Sequence, residues 1–577
     1  MNVFQQLNYL LDKRTKRNLV LLFFMIIVGS MLELLGVTIV LPVVDLAMET
    51  EDIHNNKVAA FIMDYTGVVK KEEVLLWLII SVIVIYVVKN IYVCYMYSRQ
   101  FKFAASIKRD MATRMMAAYL KQPYSFFLNH NTAELTRGVS TDTGELFQLI
   151  SNILSIISAG LTAASIIIFL AIENFVMTLV VGAVLALCLM VVILGIQKKN
   201  RENGIRNQKI NGFLIKHLRQ AFDGVKEIKI MNIEKQFINI YDKTFKQSTN
   251  MEVTYSIYNT MPKYLIESFA VIAIMLFLGG NVVFNPNYIK IIPQLAVFCV
   301  AAFKLLPSVN SIYSSINVVV YHKASIDLVY KDIKAANELS IDTIDDDSEV
   351  IPVVFKEKIT MENVDFRYEG MEENVLNNVS LEIPKGTSVA FVGPSGGGKT
   401  TTADLLLTLL HPTSGEIKVD GNDVFDNLRG WRRLFGYIPQ FIYLTDDSIR
   451  RNVAFGVSDE DIDDDQVWKV LKDAQLEDYV RSLPQGLDTE VGERGVRISG
   501  GQRQRIGIAR ALYRDPDILV FDEATSALDN ETEKEVMQAI EGLQGIKTMI
   551  MIAHRLSTIE NCDIVYKVEG GKIERTR

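Results

Sequence analysis

The chain has 577 residues, 49% of them hydrophobic, with a formal net charge of −8 and a mean hydropathy of +0.19. It is too long for one core and too apolar for an ordinary soluble protein. The acidic balance, with no basic face interleaved with aromatics, argues against a nucleic-acid binder, and four widely separated cysteines (Cys94, Cys188, Cys299, Cys562) argue for free thiols over a disulfide framework or a metal cage.

At the N-terminus, Val3, Phe4, Leu7, Leu10 and Leu11 fall on one helical face and Lys13, Arg14, Lys16 and Arg17 follow. This pattern predicts an amphipathic helix over residues 1–16 lying in a membrane interface. The next apolar run is too long for a cleaved signal, so the N-terminus is expected to stay, held in the cytoplasm by its basic cluster.

Apolar runs then predict spanning helices over about 18–43, 74–97, 146–171, 175–196, 262–284 and 289–308. The links near Glu173 and near Asn285-Pro286-Asn287 read as tight hairpins, and 44–73, with Asp45, Glu49, Glu51 and Asp52, as an external loop. Segments 98–145 and 197–261 are long, polar and rich in Lys and Arg, which puts them on the cytoplasmic side. They are helix-compatible, so the spans are expected to continue into the cytoplasm and turn at crosspieces, Pro123 to Leu135 and Phe222 to Met231. The membrane domain is therefore 1–335 and the acidic stretch 336–350 a linker. From 351 to 577, short β-rich runs alternate with helices, as in a soluble α/β nucleotide-binding domain.

The chemistry of that second domain centres on Phe391 to Thr401, FVGPSGGGKTT. Gly393 and Gly398 bracket the G-x-x-x-x-G-K-[ST] spacing, after an apolar strand and before an apolar helix. Gly393, Pro394, Ser395, Gly396, Gly397 and Gly398 form a loop with bare amides at a helix N-terminus, where phosphates bind; Lys399 adds a charge toward the β- and γ-phosphates and Thr400 a hydroxyl for Mg²⁺. Further on, an apolar strand ends in Asp522, suited to holding Mg²⁺ through water, and Glu523, suited to taking a proton from an attacking water. Ser499, Gly500, Gly501 and Gln502 open a strong helix and form a second anion site.

With these motifs in this order, residues 355–577 resemble the ATP-binding cassette family, whose LSGGQ signature is matched apart from Ile498 in place of Leu. The resemblance implies an ATPase using ATP and Mg²⁺. Within it, Tyr368 stands where an aromatic stacks on adenine, and Thr401 ends the nucleotide-binding loop. Gln440 stands where a glutamine senses Mg²⁺ and the attacking water, and Thr489 to Gly495 where such exporters touch the membrane domain. Asp529 and His554 stand where the two sites are linked and the γ-phosphate is held. The family closes Ser499 on nucleotide held by the opposite cassette. One cassette and no internal repeat therefore imply a dimer, a homodimer before a heterodimer because neither Glu523 nor the signature is degenerate.

In the membrane half, MLELLGVTIVLPVV, FFLNHNTAEL, VKEIKIM and KLLPSVNSIYSSIN resemble PglK-like bacterial flippases of lipid-linked oligosaccharides. That implies an exporter of the bacterial plasma membrane with its ATPase domain in the cytoplasm. Lys89 in the second span, Lys263 opening the fifth and Lys304 late in the sixth are suited to a pyrophosphate-linked glycolipid, since ionisable groups at membrane depth face a cavity or a partner. Snorkelling is the ordinary alternative, strongest for Lys263 and Lys304 near span ends; Glu33 is a candidate partner for Lys89. A multidrug or lipid exporter shares the architecture, with a more apolar cavity expected. An ATP-gated channel or regulatory receptor needs a conductive path, and a peptide exporter an N-terminal protease that this sequence does not place before the spans.

Overall fold

The computed structural model describes residues 3–39, 43, 63–64, 71–284, 292–338, 350–492, 495–523, 536–538, 540–552 and 562–577. The chain begins with α1 (Val3–Leu10), α2 (Lys13–Thr38), α3 (Lys71–Leu120), α4 (Tyr124–Asn129) and α5 (Thr132–Arg137). A π-helical turn, Gly138–Asp142, leads into α6 (Thr143–Glu173), α7 (Phe175–Asp223), α8 (Val225–Met231), α9 (Glu234–Phe284), α10 (Ile292–Tyr321) and α11 (Lys323–Glu338). Contacts divide the chain into two units, Met1–Gln122 with Asn129–Ile341, and Pro123–Leu128 with Asp342–Arg577. The first predicted crosspiece is thus split, its Pro123–Leu128 half grouping with the second unit.

In the first unit, four helices among the described residues are long and apolar enough to cross a membrane: Lys13–Thr38, Glu72–Leu120, Thr132–Glu173 and Thr178–Asp223. The expected fifth span lies within α9 and residues 292–308 of the expected sixth within α10; 289–291, the hairpin predicted at Asn285-Pro286-Asn287 and residues 40–42 of the expected first span lie outside the described residues. At 50 residues, α3 is roughly 75 Å long against about 30 Å of hydrocarbon, so it continues far beyond a membrane, as do α7 and α9. The link at Glu173 is tight: Asn174 alone leaves helical geometry, its N–H donating to Leu170 and its carbonyl accepting from the Thr178 N–H at 3.1 Å.

The N-terminal helix differs from the expectation. It ends at Leu10, and Asp12 caps α2 by accepting from the Thr15 N–H at 2.9 Å, so the basic cluster forms the first turns of the spanning helix. The face bearing Val3, Gln6 and Leu10 is buried within the unit, with Gln6 donating to Asp327 of α11 at 2.6 Å and Tyr9 edge-on to Tyr330 at 5.3 Å. An eight-residue helix is marginal alone, and packing on α11 steadies it while Phe4 stays exposed.

A core of Val37, Ala163, Ile166, Leu170, Leu185, Ile266, Ala270, Ala301, Leu305 and Val309 joins α2, α6, α7, α9 and α10. Polar cross-links pin their register: Asn200 donates to the Asn317 carbonyl at 2.9 Å and Tyr313 to the Tyr258 carbonyl at 2.7 Å. At the π-turn, buried Asp142 accepts from Arg137 at 3.0 Å, Gln208 at 2.7 Å and Ser325 at 2.8 Å, a satisfied polar knot uniting four segments.

The second unit contains two sheets. Strands β1 (Lys358–Phe366), β2 (Leu376–Pro384), β3 (Ser388–Val392), β4 (Ser414–Val419), β5 (Asn422–Asp423), β6 (Phe435–Ile438), β7 (Ile518–Asp522), β8 (Thr548–Ile552), β9 (Ile564–Glu569) and β10 (Lys572–Arg575) arrange as an antiparallel β2-β1-β4-β5 sheet and a β10-β9-β3-β8-β7-β6 sheet. In the second sheet β3 is parallel to β8 and β9, and β7 to β6 and β8. Parallel pairing brings the ends of β3, β7 and β8 to one edge, with Ile552 opposite both Phe391 and Asp522, and ligands bind at this carboxyl edge of such sheets.

Candidate functional site

The phosphate loop leaves this edge from β3, whose first four residues are buried, and turns into α12 (Lys399–Leu406). Its path depends on glycine. Gly393 (φ +149°) has no room for a side chain, since a Cβ would lie 2.0 Å from the Val568 carbonyl oxygen, and Gly398 (φ +108°) caps α12 in a left-handed conformation. Pro394, Ser395 and Gly396 are exposed at the loop tip, and Thr400 is exposed one residue into the helix. Lys399 is buried, its ammonium donating to the carbonyls of Gly393 at 3.0 Å and Pro394 at 2.9 Å, and burial holds its pKa below the usual lysine range.

Tyr368, packed edge-on against Phe366, shares a 3.1 Å hydrogen bond with the buried Thr401 hydroxyl, fixing the aromatic beside the loop. Asp522 ends β7, where burial first and Glu523 second raise its pKa, and Tyr437 donates to it at 3.4 Å. Glu523 accepts from the Gln440 amide at 2.6 Å, so the two residues predicted to meet at the attacking water are already joined. The loop's bare tip, a buried ammonium held by two neutral carbonyls, an exposed hydroxyl and two carboxylates together fit a magnesium nucleotide. Asp529 and His554 lie outside the described residues, as do Glu493 and Arg494 of the Thr489–Gly495 loop.

The signature opens a helix over Gly500–Leu512, with α13 (Leu428–Arg432), α14 (Ile449–Val453), α15 (Asp464–Asp473) and α16 (Glu477–Ser482) between it and α12, making it α17. Ser499 caps it, accepting from the Gln502 N–H at 3.2 Å while the Gln502 side chain accepts from the Ser499 N–H at 2.8 Å. The serine oxygen is thus used inside its own helix, yet its O–H and the exposed Gly500 stay available to an anion. Among the described residues, no hydrogen bond or ion pair joins this turn to the phosphate loop of the same chain.

Arg510, which sequence reasoning missed, brackets the far end of α17. It donates to the Asn452 carbonyl at 2.7 Å, the Asn452 side chain at 3.0 Å and the Tyr443 carbonyl at 2.6 Å, and burial lowers its pKa to about 10. The segment after Gln440 is thereby tied to the signature helix. A basic residue on an apolar helix face was the only signal in sequence.

In the first unit, Lys89 of α3 is 1% exposed and donates to Glu33 of α2 at 3.0 Å. Lys304 of α10 pairs with the same carboxylate oxygen at 3.1 Å. Gly36, one turn from Glu33, makes the space: a Cβ there would lie 3.0 Å from the Lys89 nitrogen. Tyr86 completes the enclosure, its ring centroid 4.4 Å from that nitrogen and its hydroxyl donating to the Gly36 carbonyl at 2.8 Å. Lys263 is not part of this group; it is exposed, 5.9 Å from the Tyr264 ring centroid.

A helical membrane unit followed by an ATPase unit with this loop, carboxylate pair and signature defines an ABC transporter of exporter type, and the chain belongs to that family. Residues 19–302 match the ABC transporter transmembrane region and 376–526 the ABC transporter ATPase family. It is therefore a multi-pass membrane protein that couples ATP hydrolysis to transport.

Among its relatives, an ATP-dependent lipid A-core flippase of Cupriavidus metallidurans is 31% identical over 472 residues, spanning 80% of this chain and 77% of that protein. A flippase of the same name from Syntrophus aciditrophicus is 30% identical over 510 residues, spanning 88% and 83%. The structure of a bacterial Atm1-family ABC exporter with ATP bound, 22% identical, aligns over 98% of this chain and 96% of its own with a TM-score of 0.78, which speaks to the fold alone.

Proposed function

We propose that this transporter flips a lipid-linked oligosaccharide, a polyprenyl-pyrophosphate glycan used in surface-glycan assembly, across the bacterial plasma membrane. Six spans cross that membrane, with the N-terminus and ATPase unit cytoplasmic, and two copies of the chain form the working dimer. The observation that carries the reading is the meeting of Lys89 and Lys304 at one carboxylate in apolar helices, which leaves an excess of positive charge where an uncompensated ion is costly. Lipid A-core is the second reading, favoured by the names of the relatives; it too presents phosphate on an amphiphile.

The ATPase chemistry follows from the site. Bound Mg-ATP supplies the phosphoanhydride whose cleavage drives the cycle. Lys399 would exchange neutral carbonyls for phosphate oxygens, and Thr400, Gln440 and Asp522 are the residues that would hold Mg²⁺, which would supply charge neutralisation on the phosphates. Glu523, oriented by Gln440, takes the proton of the attacking water. Tyr368 stacks on the base, His554 holds the γ-phosphate, and Ser499 with Gly500, Gly501 and Gln502 closes on nucleotide held by the other copy.

The test is a reconstituted flipping assay with a fluorescent polyprenyl-pyrophosphate saccharide and with lipid A-core. Lys89→Gln, which keeps length and removes charge, is expected to impair flipping of the pyrophosphate lipid more than basal ATPase activity. Stimulation by hydrophobic drugs in place of either lipid selects a multidrug exporter, and an ATP-dependent current selects a channel.

A further inference from the structure

The two ammonium groups and Glu33 carry a net positive charge, and among the described residues Glu33 is the only carboxylate paired with either lysine. Lys89 is enclosed by Gly36, Tyr86 and Glu33, but Lys304 keeps 35% and Glu33 18% of their side chains exposed. The cluster is therefore sealed on the Lys89 side and open on the Lys304 side. An arriving anion meets two cations whose one counter-charge is already shared between them, and gains their full attraction only by displacing that carboxylate.

We infer that Glu33 is an internal counter-anion that occupies the place of a substrate phosphate and is displaced when a phosphate-bearing amphiphile enters. The inference rests on the phosphate-glycolipid reading above and adds a competitor to it. While Glu33 bridges Lys89 and Lys304, it ties α2 to both α3 and α10, each pairing spanning segments far apart in sequence. Displacement breaks the Glu33 ties of α2 to α3 and α10 and transfers both lysines to the ligand, while the Tyr86 and Tyr92 hydroxyls still hold α2 to α3 through the Gly36 and Met25 carbonyls, so substrate entry and loosening of α2 from α10 are one event. By linkage, whatever favours the bridged state weakens phosphate binding by the same factor. A residue that opposes binding in this way also rejects uncharged amphiphiles, which bring nothing to exchange for the ion pairs.

The test is equilibrium binding of radiolabelled polyprenyl pyrophosphate to the full-length protein in nanodiscs, with polyprenyl alcohol and lipid A in parallel arms. Glu33→Gln should tighten pyrophosphate binding at least about tenfold, the low end for a close charge pair, with no change for the alcohol. Lys89→Gln should weaken it, because Glu33 then neutralises Lys304. The Glu33→Gln/Lys89→Gln double variant restores the original net charge, leaves no ammonium sealed without a partner, and should recover wild-type affinity or better; it carries the test if Glu33→Gln alone fails to fold. Pyrophosphate binding that Lys89→Gln weakens, but that neither Glu33→Gln nor the double variant improves, overturns the counter-anion and leaves the substrate reading standing. Wild-type protein that binds alcohol and pyrophosphate equally overturns both. Selective tightening for lipid A in place of the polyprenyl lipid keeps the counter-anion and reassigns the source of the phosphate.

Discussion

Glu523 adopts φ +48°, a left-handed backbone rarely taken by a residue with a side chain, directly after a strand whose first four residues are buried. Strain of this kind persists where the surroundings fix it, here through the Glu523 N–H to the Ile552 carbonyl at 3.1 Å and the Gln440 contact. Glu523→Gln keeps the shape and removes the base, so ATP hydrolysis should fall by about 10²–10⁴ while nucleotide binding persists; a near wild-type turnover rate would remove Glu523 from its proposed role. Asp404, on the helix after the phosphate loop, is different in kind. Burial first and Asp522 second push its pKa from 3.8 up to about 6. The folded chain therefore holds this proton more tightly than the unfolded chain, and the associated stability, present below about pH 4, is lost as pH rises through 6. Asp404→Asn should raise the melting temperature of nucleotide-free protein at pH 8, with a gain of about 1 kcal/mol after allowing for solvent screening, and the gap should close on acidification toward pH 5. Equal melting profiles across that range would show that Asp404 titrates normally.

At the scale of elements, legibility followed the strength of the local pattern. The phosphate loop, the β7 carboxylates and the signature each sit where strand, loop and helix periods change, and the structure builds strand β3, its glycine turn and α12 as read. The apolar runs 74–97, 146–171, 175–196 and 262–284 likewise fall inside helices, as do the described parts of 18–43 and 289–308 up to Thr38 and from Ile292. What the sequence could not convey was which side of an apolar helix meets which partner. A run such as α3 is apolar nearly all round, so its period does not single out Lys89 as facing Glu33, 56 residues away in the chain. The same holds for α1, whose pattern suits a membrane interface and a helical neighbour equally well. The π-turn at Gly138–Asp142 had no signal, because its cause is the long-range polar knot around Asp142. Lys263, predicted on depth near a span end, is exposed and stands apart from the Glu33 cluster, as snorkelling and a cavity-facing role both allow.

For the whole molecule, the composite-site reading makes a demand on stoichiometry. Chains with a disabled signature, as in Ser499→Arg, and chains with a disabled loop, as in Lys399→Ala, should each be nearly inactive, yet regain part of the ATPase rate when co-assembled. One of the two sites in the mixed dimer is then intact. Full activity from a demonstrably monomeric preparation would contradict the reading. The length of α3 bears on how such a dimer moves. It runs from Lys71 to Leu120 without a glycine or proline, whereas α9 contains Pro262 and α10 contains Pro307. Such a rod lacks the usual hinge residues; Glu33 holds it at Lys89, beside the Tyr86 and Tyr92 contacts to α2, and near its far end Arg114 donates to the Leu10 carbonyl and Tyr119 to Asp332. From Lys89 to Leu120 is roughly 47 Å of helix, so a tilt of about 10° about Lys89 would swing the tip by roughly 8 Å. Any such tilt would have to carry along or break the Arg114 and Tyr119 contacts near the tip, so the leverage of the Glu33 contact is set by where along α3 the lysine stands.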